Sequence, residues 1–86
     1  MYSLILKPRV DKIFRKLSKK NPKQLEIITK KLEEILQEPK RFKPLKGDMH
    51  GSYRVHIDKS FVLIYEIDEK NKKVILLDYN HHEKIY

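Results

Sequence analysis

The chain has 86 residues, with 20 Lys and Arg against 12 Asp and Glu, for a net charge of +8 and a sequence pI near 9.7. A chain of this length buries only roughly 60% of the surface its unfolded form exposes, which argues against a second domain or a deep enclosed pocket. With no cysteine there is no disulfide framework, thiolate nucleophile or zinc knuckle, and the longest apolar runs fall far short of the ~20 residues a membrane span needs.

The N-terminus, Met1 to Lys7, lacks a basic start, a long apolar stretch and a small-residue cleavage site, so the expected location is the cytoplasm and no membrane is expected as a partner. A first strand is predicted at Tyr2 to Leu6, ended by Pro8, which suits the first turn of a helix because its missing N–H needs no partner there. Val10, Ile13, Phe14 and Leu17 then recur at helical spacing, with Arg9, Lys12, Arg15, Lys16 and Lys19 around the rest of the circumference. Asn21-Pro22-Lys23-Gln24 offers an Asn N-cap, a Pro at the first helical position and a Gln where a capping box has its reciprocal acceptor. The second helix carries Leu25, Ile28, Leu32, Ile35 and Leu36 on its buried stripe and stops at Pro39.

Beyond the basic loop Lys40 to Lys46 the period changes to two. Tyr53, Val55 and Ile57 fall on one face of a strand, Arg54 and His56 on the other. Phe61 to Ile67 and Val74 to Tyr79 read as interior strands, joined by short polar turns, with Gly47 and Gly51 shaping a turn into the sheet. The expected fold is α+β, in the order β-α-α-β-β-β: a curved antiparallel sheet with a helical hairpin on one face, in a single domain spanning residues 1–86.

The charge is unevenly placed. Residues 1–46 hold 14 Lys and Arg against five acids, whereas residues 47–86 hold six against seven, and all four histidines lie in the second half. A Lys-rich helical surface can simply keep a small protein soluble. The clustering also suits a polyanion, with phosphates against Arg and Lys and bases stacked on rings such as Phe42, Tyr53, Tyr79 or Tyr86. RNA offers a reaction for which these residues suffice, because its 2′-OH can attack the adjacent phosphorus. The protein then supplies a general base, a general acid and a cation for the charge on the five-coordinate phosphorus. His56, beside Arg54, is the candidate base, and His82 the candidate acid. No metal or other cofactor is expected: His81 and His82 would point apart in a strand, and no histidine pair stands at i, i+4 on a helix.

Pro44-Leu45-Lys46-Gly47, Gly51-Ser52-Tyr53-Arg54-Val55, Leu63-Ile64-Tyr65-Glu66-Ile67 and the ending Asn80-His81-His82-Glu83-Lys84-Ile85-Tyr86 together resemble the RelE/ParE superfamily of toxins from toxin–antitoxin pairs. The resemblance covers nearly the whole chain and implies the same β-α-α-β-β-β order. Its RelE branch enters the ribosomal A site and cuts messenger RNA there, and a cognate antitoxin wraps and neutralises the toxin. The histidine pattern is similar to the YafQ branch, which implies catalytic positions at His56 and His82, with Arg54 and the terminal aromatic Tyr86 contributing. Arg41, Lys43, Lys46, His50 and Tyr53 are candidate contacts to substrate or ribosomal RNA, His50 having no clear counterpart in the family. Ser60 stands where that branch has an acidic residue and Lys43 where it has a His, while Val62 replaces an Arg of RelE-type members. The expected function is a ribosome-dependent messenger-RNA endoribonuclease that inhibits translation, with ribosome, messenger RNA and antitoxin as partners. The alternatives are a ParE-like DNA gyrase poison without nuclease activity and a non-catalytic RNA-binding module.

Overall fold

The computed structural model describes residues 2–44 and 51–81. In chain order they form β1 (Ser3–Leu6), α1 (Pro8–Lys20), α2 (Pro22–Gln37), a single 3-10 turn (Pro39–Arg41), β2 (Lys43–Pro44), β3 (Ser52–Ile57), β4 (Phe61–Asp68) and β5 (Lys73–His81). The five strands make one sheet in the order β1-β5-β4-β3-β2.

The expected α+β order holds with one added strand: β3–β4 and β4–β5 pair antiparallel as expected, and the added β2 pairs antiparallel with β3. The sheet as a whole is mixed, because β1 lies parallel to β5, pairing Ser3 with Lys73 and Leu6 with Leu76. Parallel neighbours need a long crossover, and here everything from α1 to β4 supplies it. The basic loop also contributes a strand: β2 pairs Lys43 with Arg54 and Pro44 with Tyr53, which makes it the outer edge of the sheet.

A single residue separates the two helices. Asn21 ends α1 by donating its backbone N–H to the Leu17 carbonyl at 2.8 Å, and starts α2 by accepting the Gln24 backbone N–H on its side-chain oxygen at 3.2 Å. The other half of the expected capping box does not form. Gln24 instead turns its side chain inward and donates to the Tyr79 hydroxyl at 2.8 Å, tying the start of α2 to β5. A buried hydroxyl without a partner is costly, and that requirement overrides the local cap.

Both helices pack on one face of the sheet. Val10, Ile28, Leu32 and Ile35 meet Val55, Ile57, Leu63, Tyr65, Val74, Leu76 and Tyr79 in a single core. Tyr65 is fully buried and its hydroxyl donates to the Pro39 carbonyl, so the 3-10 turn after α2 is pinned to the middle strand. Burial and the neighbouring Tyr53 push the Tyr65 phenol well above its ordinary range. An irregularity between Ile64 and Tyr65 leaves Leu77 as the extra residue on β5 and resets which residues of that strand face the helices. The turns are closed by Asp58 and Lys72 at positive φ, and by Asp68, whose carboxylate accepts from the Asn71 backbone and side chain.

Candidate functional site

Strand alternation settles what the helices leave uncovered. Tyr53, Val55 and Ile57 on β3 belong to the helix-side core, as do Leu63 and Tyr65 on β4, so Arg54, His56, Val62, Ile64 and Glu66 face the other way. The register then assembles two rows across that face. Lys43, Arg54, Ile64 and Asp78 lie side by side on β2, β3, β4 and β5, and His56, Val62 and Asn80 form the next row on β3, β4 and β5.

The chemistry of each position follows from its strand. Val62 and Ile64, on the middle strand, are buried apolar residues, at 0% and 4% exposure, although they face away from α1 and α2. On the β2–β3 side stand three basic side chains: Lys43 and His56 are exposed and Arg54 is half-buried. Cross-strand partners have Cβ atoms about 4.5–5.5 Å apart, so Lys43 and Arg54 form a local concentration of positive charge with His56 two residues along the same strand. Glu66, Asp68 and Asp78 carry acidic groups on the β4–β5 side. Such a surface can hold a phosphate near Arg54 and place a titratable imidazole beside it.

The far side is shaped by three side-chain bonds. β1 stops at the Leu6–Leu76 pair, so Asp78 and Asn80 lie where β5 has no outer neighbour. Asp78 Oδ1 accepts the Tyr79 backbone N–H at 2.9 Å, and Asn80 Oδ1 accepts the His81 backbone N–H at 2.9 Å. Asp78 Oδ1 also accepts from Arg9 Nε at 2.8 Å, bringing a residue from the first turn of α1 to this end of the row.

Other predicted contacts are placed differently. Arg41 sits in the 3-10 turn, pairs with Glu34 at 3.3 Å and lies 5.4 Å from the centre of the Phe42 ring. Tyr53 is half-buried on the helix side and stacks on Tyr65, with centroids 5.4 Å apart, which occupies one face of its ring. Phe42 packs against the core. Tyr79 is buried, stacked on Phe61 at 5.4 Å, and burial raises its phenol above the usual range despite the opposing Gln24 bond. A base therefore cannot stack on Tyr79, as the sequence reading allowed. His81 packs its edge on Phe61, on the opposite face from His56. Lys46, His50, His82 and Tyr86 lie outside the described residues. Among the described residues no group of three or more His, Cys, Asp or Glu could hold a metal ion. None of the described helices is long and apolar enough to cross a membrane.

The family described as "ParE toxin of type II toxin-antitoxin system, parDE" matches residues 4–86, nearly the whole sequence. The chain belongs to the RelE/ParE toxin superfamily. A Methanocaldococcus jannaschii protein named "Putative toxin RelE4" is 50% identical over 86 residues, covering all of this chain and 92% of the relative. An uncharacterised Methanosarcina mazei protein is 55% identical across the full length of both. The toxin fold also matches the isolated RelE toxin of Escherichia coli, with a TM-score of 0.81 and 26% identity over 94% of this chain and 84% of that one. A YoeB/ParE toxin from Agrobacterium tumefaciens shares the fold at a TM-score of 0.84 and 17% identity, over 93% and 98% of the two chains.

Three residues of this toxin's uncovered face escape a sequence reading. Arg9 looks like one more cation on the solvent side of α1, and its partner lies 69 residues away. Asp78 and Asn80 do carry a signal: two polar residues at period two closing an otherwise apolar run, where a wholly interior strand would place apolar ones.

Proposed function

We propose that this toxin is an endoribonuclease that cuts messenger RNA on the ribosome by 2′-OH attack. The observation that supports the reading best is an exposed His56 on the helix-free face, two residues from Arg54 and one strand from Lys43. His56 removes the 2′-OH proton, the 2′-oxygen bonds to phosphorus, and the bond from phosphorus to the 5′-oxygen breaks. Arg54 and Lys43 offset the added charge of the five-coordinate phosphorus. His82 donates a proton to the departing 5′-oxygen, and Tyr86 completes the site. The products are a 2′,3′-cyclic phosphate and a free 5′-hydroxyl.

Lys46 and His50 extend the substrate contact from the segment before β3, and Arg41 and Tyr53 flank it. The Lys- and Arg-rich surface of α1 docks on ribosomal RNA, and an acidic antitoxin binds the same cations and blocks that docking. The M. jannaschii relative carrying a RelE name supports this branch of the superfamily. The protein acts in the cytoplasm, where ribosomes are.

The description of the matching family favours a second reading, in which the protein poisons DNA gyrase as a ParE-type toxin and cuts nothing. A pair of assays on the purified protein separates them. Cleavage of ribosome-bound message by the wild type, lost in His56→Ala by about a hundred- to ten-thousand-fold, is expected for a group that moves a proton in the transition state. Inhibition of gyrase supercoiling with intact message supports the second reading.

A further inference from the structure

Arg9 and Asp78 form a pair that the proposed chemistry does not use. Arg9 lies in the first turn of α1 with its side chain 60% exposed, and its Nε donates to Asp78 Oδ1 at 2.8 Å. Bonding through Nε alone holds the guanidinium by its inner nitrogen. Among the described residues Arg9 has no second side-chain partner, and its two terminal amino groups are not used in the bond to Asp78. Asp78 is itself held, because the same carboxylate oxygen accepts the Tyr79 N–H. Tyr79 is anchored in the core by Phe61, Phe14 and Gln24.

The pair also stands in a specific place. The register aligns Asp78 with Ile64 and Ile64 with Arg54, so Arg9 is carried to the opposite end of the row that begins with Lys43 and Arg54. Adjacent strands lie about 4.8 Å apart, which puts β5 about 10 Å from β3. Phosphate recognition favours Arg over Lys because the planar fork offers two parallel donors, and a fork already oriented by a carboxylate loses less freedom on binding. The β4–β5 side carries acids on this face, Asp78 opposite Ile64 and Glu66 two residues further along β4. An arginine held there by one of those acids turns a repelling edge into a phosphate contact.

We propose that Arg9 binds a second RNA phosphate, further along the strand from the one at Arg54, and that Asp78 is the positioning residue that aims it. This inference rests on the nuclease reading. It makes the substrate span the sheet from β3 to β5 and fixes at least two of its phosphates.

The deciding variant is Asp78→Asn, because the two explanations predict opposite signs. Removing an acid from an RNA-facing surface should strengthen binding if only overall charge matters, whereas loss of the anchor should weaken it. The probe is the purified toxin on ribosomes programmed with a defined message, with the half-saturating toxin concentration and the maximal cleavage rate measured as functions of salt. Arg9→Gln should raise the half-saturating concentration about tenfold or more, the range for one charge-assisted hydrogen bond, and flatten the log–log salt slope by about 0.7. Asp78→Asn should shift the half-saturating concentration in the same direction, and Arg9→Gln/Asp78→Asn should be no worse than Arg9→Gln alone. Arg15→Gln removes an equal charge from α1 at a residue paired with Asp11, and should give a smaller shift than Arg9→Gln. Tighter binding by Asp78→Asn, or equal shifts for Arg9→Gln and Arg15→Gln, overturns the proposal while leaving the nuclease reading intact. A wild-type protein that does not cut the message removes the nuclease reading, and this assignment with it.

Discussion

Replacing Tyr79 by Phe removes one oxygen from the centre of the structure and leaves Gln24 with a buried amide that has lost its acceptor. The Gln24 Nε2 to Tyr79 Oη distance is 2.8 Å, and the two residues are 7% and 4% exposed, so water is poorly placed to substitute. An orphaned buried donor costs about 1–3 kcal/mol, and a value near 2 kcal/mol corresponds to a fall in Tm of roughly 8–16 °C for a domain of this size. Gln24→Leu should cost a similar amount, by orphaning the phenol. The double variant Gln24→Leu/Tyr79→Phe replaces both partners by apolar groups and should cost only about 1 kcal/mol, which against two single losses near 2 kcal/mol is a coupling energy of about 3 kcal/mol. The assay is urea unfolding followed by far-UV circular dichroism, with the m-value checked for constancy across the four proteins. Additive losses would show that the two side chains do not depend on each other. The account of why Gln24 abandons its cap would then be wrong.

Other consequences can be measured on the same material. Asn21→Ala removes the side-chain acceptor for the Gln24 N–H at the helix junction and should cost about 1 kcal/mol in the same unfolding assay. The Asp68 carboxyl is held below its ordinary range by the Asn71 side chain and backbone, and Glu69 by the Tyr2 hydroxyl. Folded values below the unfolded ones stabilise the protein above the ordinary carboxylate range, and that contribution is lost as pH falls through the folded values. Asp68→Asn and Glu69→Gln should therefore lower the neutral plateau of a Tm–pH profile toward its acid end and flatten the acid limb. Tyr65 works in the opposite sense: its raised phenol pKa favours the native state fully below about pH 10, and stability should fall as pH rises above that. Tyr65→Phe should soften this alkaline limb in the same profile. Ribosome binding by the free toxin should weaken steeply between low and moderate salt, as expected for release of counterions from several phosphates.

The parts of this fold that were legible in the sequence are those with local causes. The helical stripes of Val10 to Leu17 and Leu25 to Leu36, the Asn21-Pro22 junction and the alternation of Tyr53 to Ile57 each reappear in the structure at the expected place. What was not legible depends on distant partners. The parallel pairing of a four-residue edge strand is decided by where β5 lies, and a two-residue β2 has no periodicity to detect. Gln24 satisfied a local capping pattern and was diverted by a hydroxyl 55 residues away. The placement of Arg54 and His56 on the face away from the helices followed from alternation alone, and Lys43 joins them only through the register of β2. Tyr79 illustrates the converse: an aromatic near a basic face reads as a stacking platform until burial shows it belongs to the core.

The most direct measurement of the proposed activity uses two messages on otherwise identical ribosomes, one all-ribose and one with a 2′-deoxynucleotide on the 5′ side of the mapped cut. The wild-type toxin should cut the first message, leaving a 2′,3′-cyclic phosphate, and leave the second intact at that position. Equal cutting of both messages would show that the 2′-OH is not the nucleophile, and would contradict the role given to His56.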